Sequence, residues 1–199
     1  MVDRFRLIAI TPERTIPDEP KLVEMLIDSG FDFVHIRKPD TDESAFRAYL
    51  ESIGEAYHAQ LTLHDRHELA EEYGVGGIHL NRRNPEPPKG YRGRVSRSLH
   101  GIDELTDSII GNNYCTLSPI YDSISKAGYR SHFSADALHN ALSDKRLRVP
   151  IIALGGVTPD RIDELRQLGF SGAAFLGYLF ADADADTLSQ RIKTIKQHL

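Results

Sequence analysis

The sequence predicts an α/β chain folded as a compact (β/α)8 barrel. Three observations carry that expectation. Eight short apolar runs recur along the 199 residues, and helix-length amphipathic stretches fall between most of them. Runs such as LIAI and IIAL are continuously apolar, which is what parallel strands covered on their outer face require. At about 150 residues per domain the length fits one domain, residues 1–199. A chain of this size buries roughly 70% of its unfolded surface and builds a core without staples. The rival is a doubly wound open sheet, but no Gly-x-Gly-x-x-Gly follows the first strand.

The elements follow in order. Arg6–Ile10 is the first strand. Pro20–Ser29 carries Leu22, Val23, Leu26 and Ile27 at helical spacing and stops at Gly30. Phe33–Ile36 is strand two, and Ser44–Tyr57 repeats the helical pattern. Gln60–Leu63, Gly77–His79, Arg94–Ser98 and Tyr114–Leu117 are strands three to six. Between the fourth and fifth, Asn81–Gly93 (NRRNPEPPKGYRG) holds three prolines and two glycines, which excludes a normal crossover helix and leaves an irregular segment. Ile151–Leu154 is strand seven. Thr158-Pro159 reads as an N-cap with proline at N1, opening a helix that runs to Leu168 and stops at Gly169. Gly172–Leu176 is strand eight, and Asp186–Leu199 is the closing helix.

Composition narrows the function classes. Hydrophobic residues at 40% and charged residues at 27% exclude disorder, collagen and coiled coil. No run approaches 18 apolar residues, so no membrane partner is expected. The net charge of −5 and the pI near 6.0 argue against a nucleic-acid partner. One cysteine, Cys115, leaves no internal disulfide. The first residues, MVDRFRLIAI, lack the apolar core of a secretory signal, so a cytoplasmic location is expected.

In a (β/α)8 barrel the chemistry sits at the C-terminal ends of the strands. Those ends read His35-Ile36-Arg37-Lys38, His64-Asp65-Arg66, His79, Ser98-Leu99-His100, Ser118-Pro119 and Gly155-Gly156. Gly155-Gly156 opens a helix after strand seven and Gly177 follows strand eight, the place where barrels bind phosphate on backbone N–H groups. Read blandly, these are turn glycines. Ser123, Ser125 and Lys126 after strand six supply hydroxyls and a charge able to hold phosphate, or simply form a solvated loop. Arg37 is suited to a bidentate contact with a carboxylate or phosphate, or else pairs with Asp65. His100 is the natural acid/base group at neutral pH, or else caps the following helix through its ring. His64, Asp65, His67 and His79 offer a metal site, although without a zinc spacing.

Taken together these segments resemble the thiamine phosphate synthase/TenI family over nearly the whole chain. FVHIRKPD is similar to its strand-two motif of Gln or His, x, Arg-Glu-Lys. LHDRHELAEEYGVGGIHLNRRN is similar to its Asn-Asp … Gly-x-His-Leu-Gly-x-x-Asp stretch. SRSLHGIDEL, SPIYDSISKAG and ALGGVTPDRIDELRQLGFSGAAFLG resemble its remaining motifs.

The resemblance implies two activities. The synthase joins a pyrimidine pyrophosphate to a thiazole phosphate with Mg²⁺. The TenI branch aromatises a thiazole phosphate carboxylate tautomer by moving a proton, without a metal. Pro39 replaces the motif's second lysine, with Lys38 one place earlier. Asp65 matches the first metal-binding aspartate, but the second falls on Asn84, and His64 replaces the Asn before the aspartate. Ser123, Ser125 and Lys126 do match. The HIR and RSLH segments resemble the TenI branch more closely.

The expectation is therefore a thiazole tautomerase. His100 moves the proton and Arg37 holds the carboxylate. Lys38, Ser98, Ser123, Ser125, Lys126, Gly155, Gly156 and Gly177 bind substrate and phosphate, and no cofactor is needed. The runner-up is the synthase, with Asp65 on Mg²⁺ and Lys126 on pyrophosphate. A non-catalytic phosphate-ligand-binding regulator and a metal-dependent hydrolase complete the field. The expected partner is a small phosphorylated thiazole, with assembly into a homo-oligomer left open.

Overall fold

The computed structural model describes residues 4–122, 133–144 and 146–199. Eight parallel strands close a barrel in sequence order. They are β1 (Arg6–Ile10), β2 (Phe33–Ile36), β3 (Leu61–Leu63), β4 (Gly77–Leu80), β5 (Arg94–Leu99), β6 (Tyr114–Leu117), β7 (Ile151–Ala153) and β8 (Gly172–Phe175). β8 returns to β1 with Arg6 opposite Gly172 and Ala9 opposite Phe175. A Cβ at Gly172 would stand 2.5 Å from the Arg6 carbonyl oxygen, so this seam closes only on glycine.

Alternation along each strand makes two cores. Outward residues such as Leu7, Val34, Leu61, Leu63, Ile78 and Phe175 pack against helix residues including Leu22, Leu26, Phe46, Leu50, Leu165 and Ile195. Each such burial contributes roughly 1.5–3 kcal/mol before chain entropy is set against it. The inward set is smaller. Ile8, Ile10, Ile152 and Ala174 form an apolar cluster with the Tyr114 ring, Leu154 and Leu176. On the other strands the inward positions are mostly polar, with Phe33 on β2 the apolar exception.

The helices are α1 (Glu19–Asp28), α2 (Glu43–Glu51), α3 (Leu69–Glu72), α4 (Ala135–Leu142), α5 (Ile162–Leu168), α6 (Gly177–Phe180) and α7 (Ala185–Gln197). Asp42, Ser134 and Asp184 cap α2, α4 and α7 through side-chain oxygens. Two expectations are corrected. The helix expected over Ser44–Tyr57 is α2 ending at Glu51 and a separate 3₁₀ segment, Glu55–Gln60, because Gly54 interrupts it. Thr158 makes no side-chain cap. Pro159–Arg161 is a 3₁₀ turn that leads into α5. Gly169, at φ 97°, ends α5 as expected. The segment 81–93 contains no helix, as its prolines require. Among the described residues no helix is long and apolar enough to cross a membrane.

Candidate active site at the barrel mouth

The C-terminal ends of the strands surround one cavity of about 540 Å³. Arg37, Ser98, His100, Gly155, Gly156 and Gly177, all expected from strand-end position, line it together. Arg82, Arg83 and Asn81 also line it. They escaped the sequence reading because the loop after β4 has no periodicity, although its place at the C-terminal face was a usable signal. Ser123, Ser125 and Lys126 lie outside the described residues.

The glycine side of the mouth is built from backbone. Gly155 (φ 93°) and Gly156 (φ 64°) adopt the left-handed conformation that L side chains disfavour. A Cβ on Gly156 would stand 2.3 Å from the Asp122 carbonyl oxygen, and one on Gly155 would meet Pro119 at 2.8 Å. The Leu154 and Gly155 carbonyls accept the N–H groups of Ile120 and Tyr121 at 2.9 and 3.0 Å, which holds the loops after β6 and β7 together.

The charged side is arranged differently from expectation. Arg37 donates to Glu13 at 2.6 Å, and its backbone N–H donates to Thr11 Oγ1 at 3.0 Å. The alternative pairing of Arg37 with Asp65 is corrected, because Asp65 is taken by Arg83. The Arg83 guanidinium reaches Asp65 Oδ1 through Nη2 at 2.8 Å and Nε at 3.1 Å. Asp65 Oδ2 accepts the Lys38 backbone N–H at 3.3 Å. The Lys38 ammonium does not reach the mouth. It is buried against Glu19 at 2.7 Å and the Pro12 carbonyl at 2.6 Å, while Tyr49 donates to the same carboxylate. Desolvation lowers the Lys38 pKa against the raising effect of Glu19.

His100 is exposed at the rim. Its Nδ1 lies 3.3 Å from the carbonyl oxygen and the hydroxyl of Ser118. The helix-capping alternative fails for its ring. It is the His100 backbone N–H that meets Glu104, at 2.6 Å, and Gly101 shares that carboxylate.

Three further histidines stand on successive strands and point inward. His35 Nδ1 is 2.8 Å from His64 Nε2, and His35 Nε2 is 2.6 Å from the Tyr114 hydroxyl. His79 spans Ser96 and Ser98, at 2.8 Å from each hydroxyl oxygen. Burial lowers all three pKa values, that of His79 to about 3, and repulsion from neighbouring histidines and arginines adds to the effect, so the rings are neutral. One potential ligand nitrogen from each ring lies within 4.8 Å of the others. The expected group of His64, Asp65, His67 and His79 is thereby corrected. Asp65 is bound to Arg83, and His67, whose Nε2 is buried without a hydrogen-bond partner among the described residues, does not join the cluster.

The residues present do not fit a Mg²⁺ ion at Asp65. That ion takes six oxygen ligands, and beside waters and substrate phosphates it needs at least one free carboxylate. Here the single carboxylate already carries a guanidinium, and Asn84 donates its Nδ2 to the His64 carbonyl at 3.0 Å.

The sequence profile of a family described as thiamine monophosphate synthase matches residues 7–179. A thiamine-phosphate synthase of Nitrosococcus oceani is 27% identical over 192 residues, covering 89% of this chain and 86% of that protein. One of Lactococcus lactis subsp. cremoris is 24% identical over 193 residues, covering 91% and 88%. Among solved structures, the thiamine phosphate pyrophosphorylase of Bacteroides thetaiotaomicron superposes with a TM-score of 0.84 at 32% identity, over 98% of this chain and 97% of that one.

Proposed function

Because the chain belongs to the thiamine monophosphate synthase family, we propose that it is a thiamine-biosynthesis enzyme that binds a thiazole phosphate in the barrel mouth, and that within the family its geometry fits thiazole tautomerisation best. One observation carries the second part. Arg83 sits on Asp65, where the synthase would need a metal, so the mouth offers a proton-transfer site without the cation that neutralises a leaving pyrophosphate. In this reading Gly155, Gly156 and Gly177 hold the phosphate, Arg37 and Ser98 orient the carboxylate end, and His100 takes the proton. Arg82 joins Arg37 in favouring an acidic substrate.

The synthase reading rests on a different observation. The relatives reported above bear the name thiamine-phosphate synthase or thiamine phosphate pyrophosphorylase, and those names favour it over the tautomerase. In that reading Asp65, once released by Arg83, would hold Mg²⁺, which would supply charge neutralisation for the leaving pyrophosphate, and the resemblance gives Lys126, outside the described residues, to the same pyrophosphate. Two assays on the purified protein separate the readings: aromatisation of the thiazole phosphate carboxylate tautomer in EDTA, and formation of thiamine phosphate from the two phosphorylated precursors with Mg²⁺. Aromatisation in EDTA with negligible thiamine phosphate is the expected result. The opposite pattern replaces the tautomerase with the synthase.

A further inference from the structure

The inner wall carries more proton-bearing groups than a single rim histidine uses, and short hydrogen bonds join three of them in one file. The barrel floor is the starting point. The Arg94 guanidinium lies 3.7 Å over the Phe33 ring, and its Nη2 donates to Thr62 Oγ1 at 3.2 Å and to the Leu61 carbonyl at 3.1 Å. Its charge stands near the Tyr114 hydroxyl. That hydroxyl lies 2.6 Å from His35 Nε2, and the file runs toward the mouth with the phenol as the donor of this bond. An imidazole that accepts at Nε2 carries its proton on Nδ1, and His35 Nδ1 faces His64 Nε2 at 2.8 Å. His64 therefore accepts at Nε2, carries its own proton on Nδ1, and lines the mouth.

The same logic orients His79. Ser96 donates to the Ile78 carbonyl at 3.2 Å and so accepts from His79 Nδ1, which leaves His79 Nε2 to accept from Ser98. Metal binding is the competing use of three clustered imidazoles. The hydrogen bonds argue against it, because the bare nitrogen of each ring already accepts a proton.

We propose that Tyr114, His35 and His64 form a proton relay that returns a proton to the ligand bound in the mouth. The relay rests on the tautomerase reading and supplies its second half. After His100 removes a proton from the bound ring, the resulting anion takes the Nδ1 proton of His64. His64 Nε2 takes the Nδ1 proton of His35, and His35 Nε2 takes the phenolic proton of Tyr114. The phenolate is left beside the Arg94 guanidinium while His100 holds the abstracted proton. When product leaves, His100 releases its proton and the file is refilled from the mouth, so no net proton is consumed. His64 is the member that touches the ligand; His35 and Tyr114 act through it.

The first test needs no substrate. Nitrogen-15 NMR of histidine-labelled protein should show His35 and His64 neutral and protonated on Nδ1 at pH 7, and Tyr114→Phe should change that pattern. A proton on His64 Nε2, or a pattern indifferent to Tyr114→Phe, overturns the relay. So does stoichiometric Zn²⁺ uptake that displaces these protons.

The second test is single-turnover aromatisation in H₂O and D₂O. Tyr114→Phe should slow it about tenfold or more, less than the roughly 10²–10⁴-fold of a direct acid/base group because Tyr114 acts through His64. Product affinity should be unchanged and the solvent isotope effect smaller. His35→Asn should behave alike. Equal rates and isotope effects in parent and variants sink the relay while leaving the tautomerase standing. A parent that aromatises nothing removes both.

Discussion

The inner wall of the barrel divides into two arcs of the same architecture and opposite chemistry. Across β7, β8 and β1 it is apolar, with Ile152, Leu154, Ala174, Leu176, Ile8 and Ile10, and its loops are shaped by Gly155, Gly156 and Gly177. Across β2 to β6 the buried inward residues include His35, Thr62, His64, His79, Ser96, Tyr114 and Thr116. The first arc offers backbone at the mouth, and a Cβ at Gly155 or Gly156 would clash with the loop after β6. The second presents titratable groups, each of which costs free energy to bury unless it is hydrogen-bonded. In the proposed reading, one fold holds an anion with its backbone on one side and handles protons with its side chains on the other.

The sharpest break is at His100. His100→Gln keeps size and hydrogen bonding but cannot change protonation, so aromatisation should fall about 10²–10⁴-fold with product affinity nearly unchanged. Single-turnover rates with calorimetric product binding measure both. A rate within about threefold of the parent would move the proton transfer to His64.

On the apolar arc, Gly156→Ala should weaken phosphate-ester binding by about 10- to 100-fold and cost roughly 1–3 kcal/mol of stability. Its Cβ would overlap the Asp122 carbonyl at 2.3 Å in a left-handed conformation. Calorimetry with the product phosphate and thermal melting are the readouts. Unchanged affinity would take the anion away from this loop.

The boundary between the arcs can be converted. Arg83→Ala with Asn84→Asp frees Asp65 and adds a second carboxylate, so Mg²⁺ affinity should rise about tenfold. Titration calorimetry with Mg²⁺ alone checks it. Tight Mg²⁺ binding by the unaltered protein would show that Arg83 yields readily, and would favour the synthase.

The smallest effect is on stability against pH. His35, His64 and His79 have folded pKa values below the unfolded value of about 6.5. Their neutral forms are favoured in the fold, so this contribution is fully present above pH 6.5. Below that the unfolded chain takes up protons first, and stability should decline by up to about 1.4 kcal/mol per pH unit for each group. Urea midpoints from pH 7.5 to 5.5 measure the slope, which His79→Asn should flatten. A parent without such a slope would mean that the rings take up protons without unfolding.

Much of this molecule was legible before folding. The apolar runs became the eight strands because outward positions need covering by helices whatever the inward ones do. Arg37, Ser98, His100 and the three glycines met at the mouth because strand ends in a closed barrel converge by topology. The pairings were not legible. Asp65 with Arg83, Arg37 with Glu13, Lys38 with Glu19 and His35 with Tyr114 join residues 18 to 79 positions apart, through loops that have no period. Inward or outward direction depends on strand register, and a slip of one residue would turn the histidines away from one another. Local pattern therefore settled most of the strand-end residues at the mouth, while the closed sheet decided that Lys38 turns away to Glu19, that Arg82 and Arg83 join, and which charges are already spent on each other there.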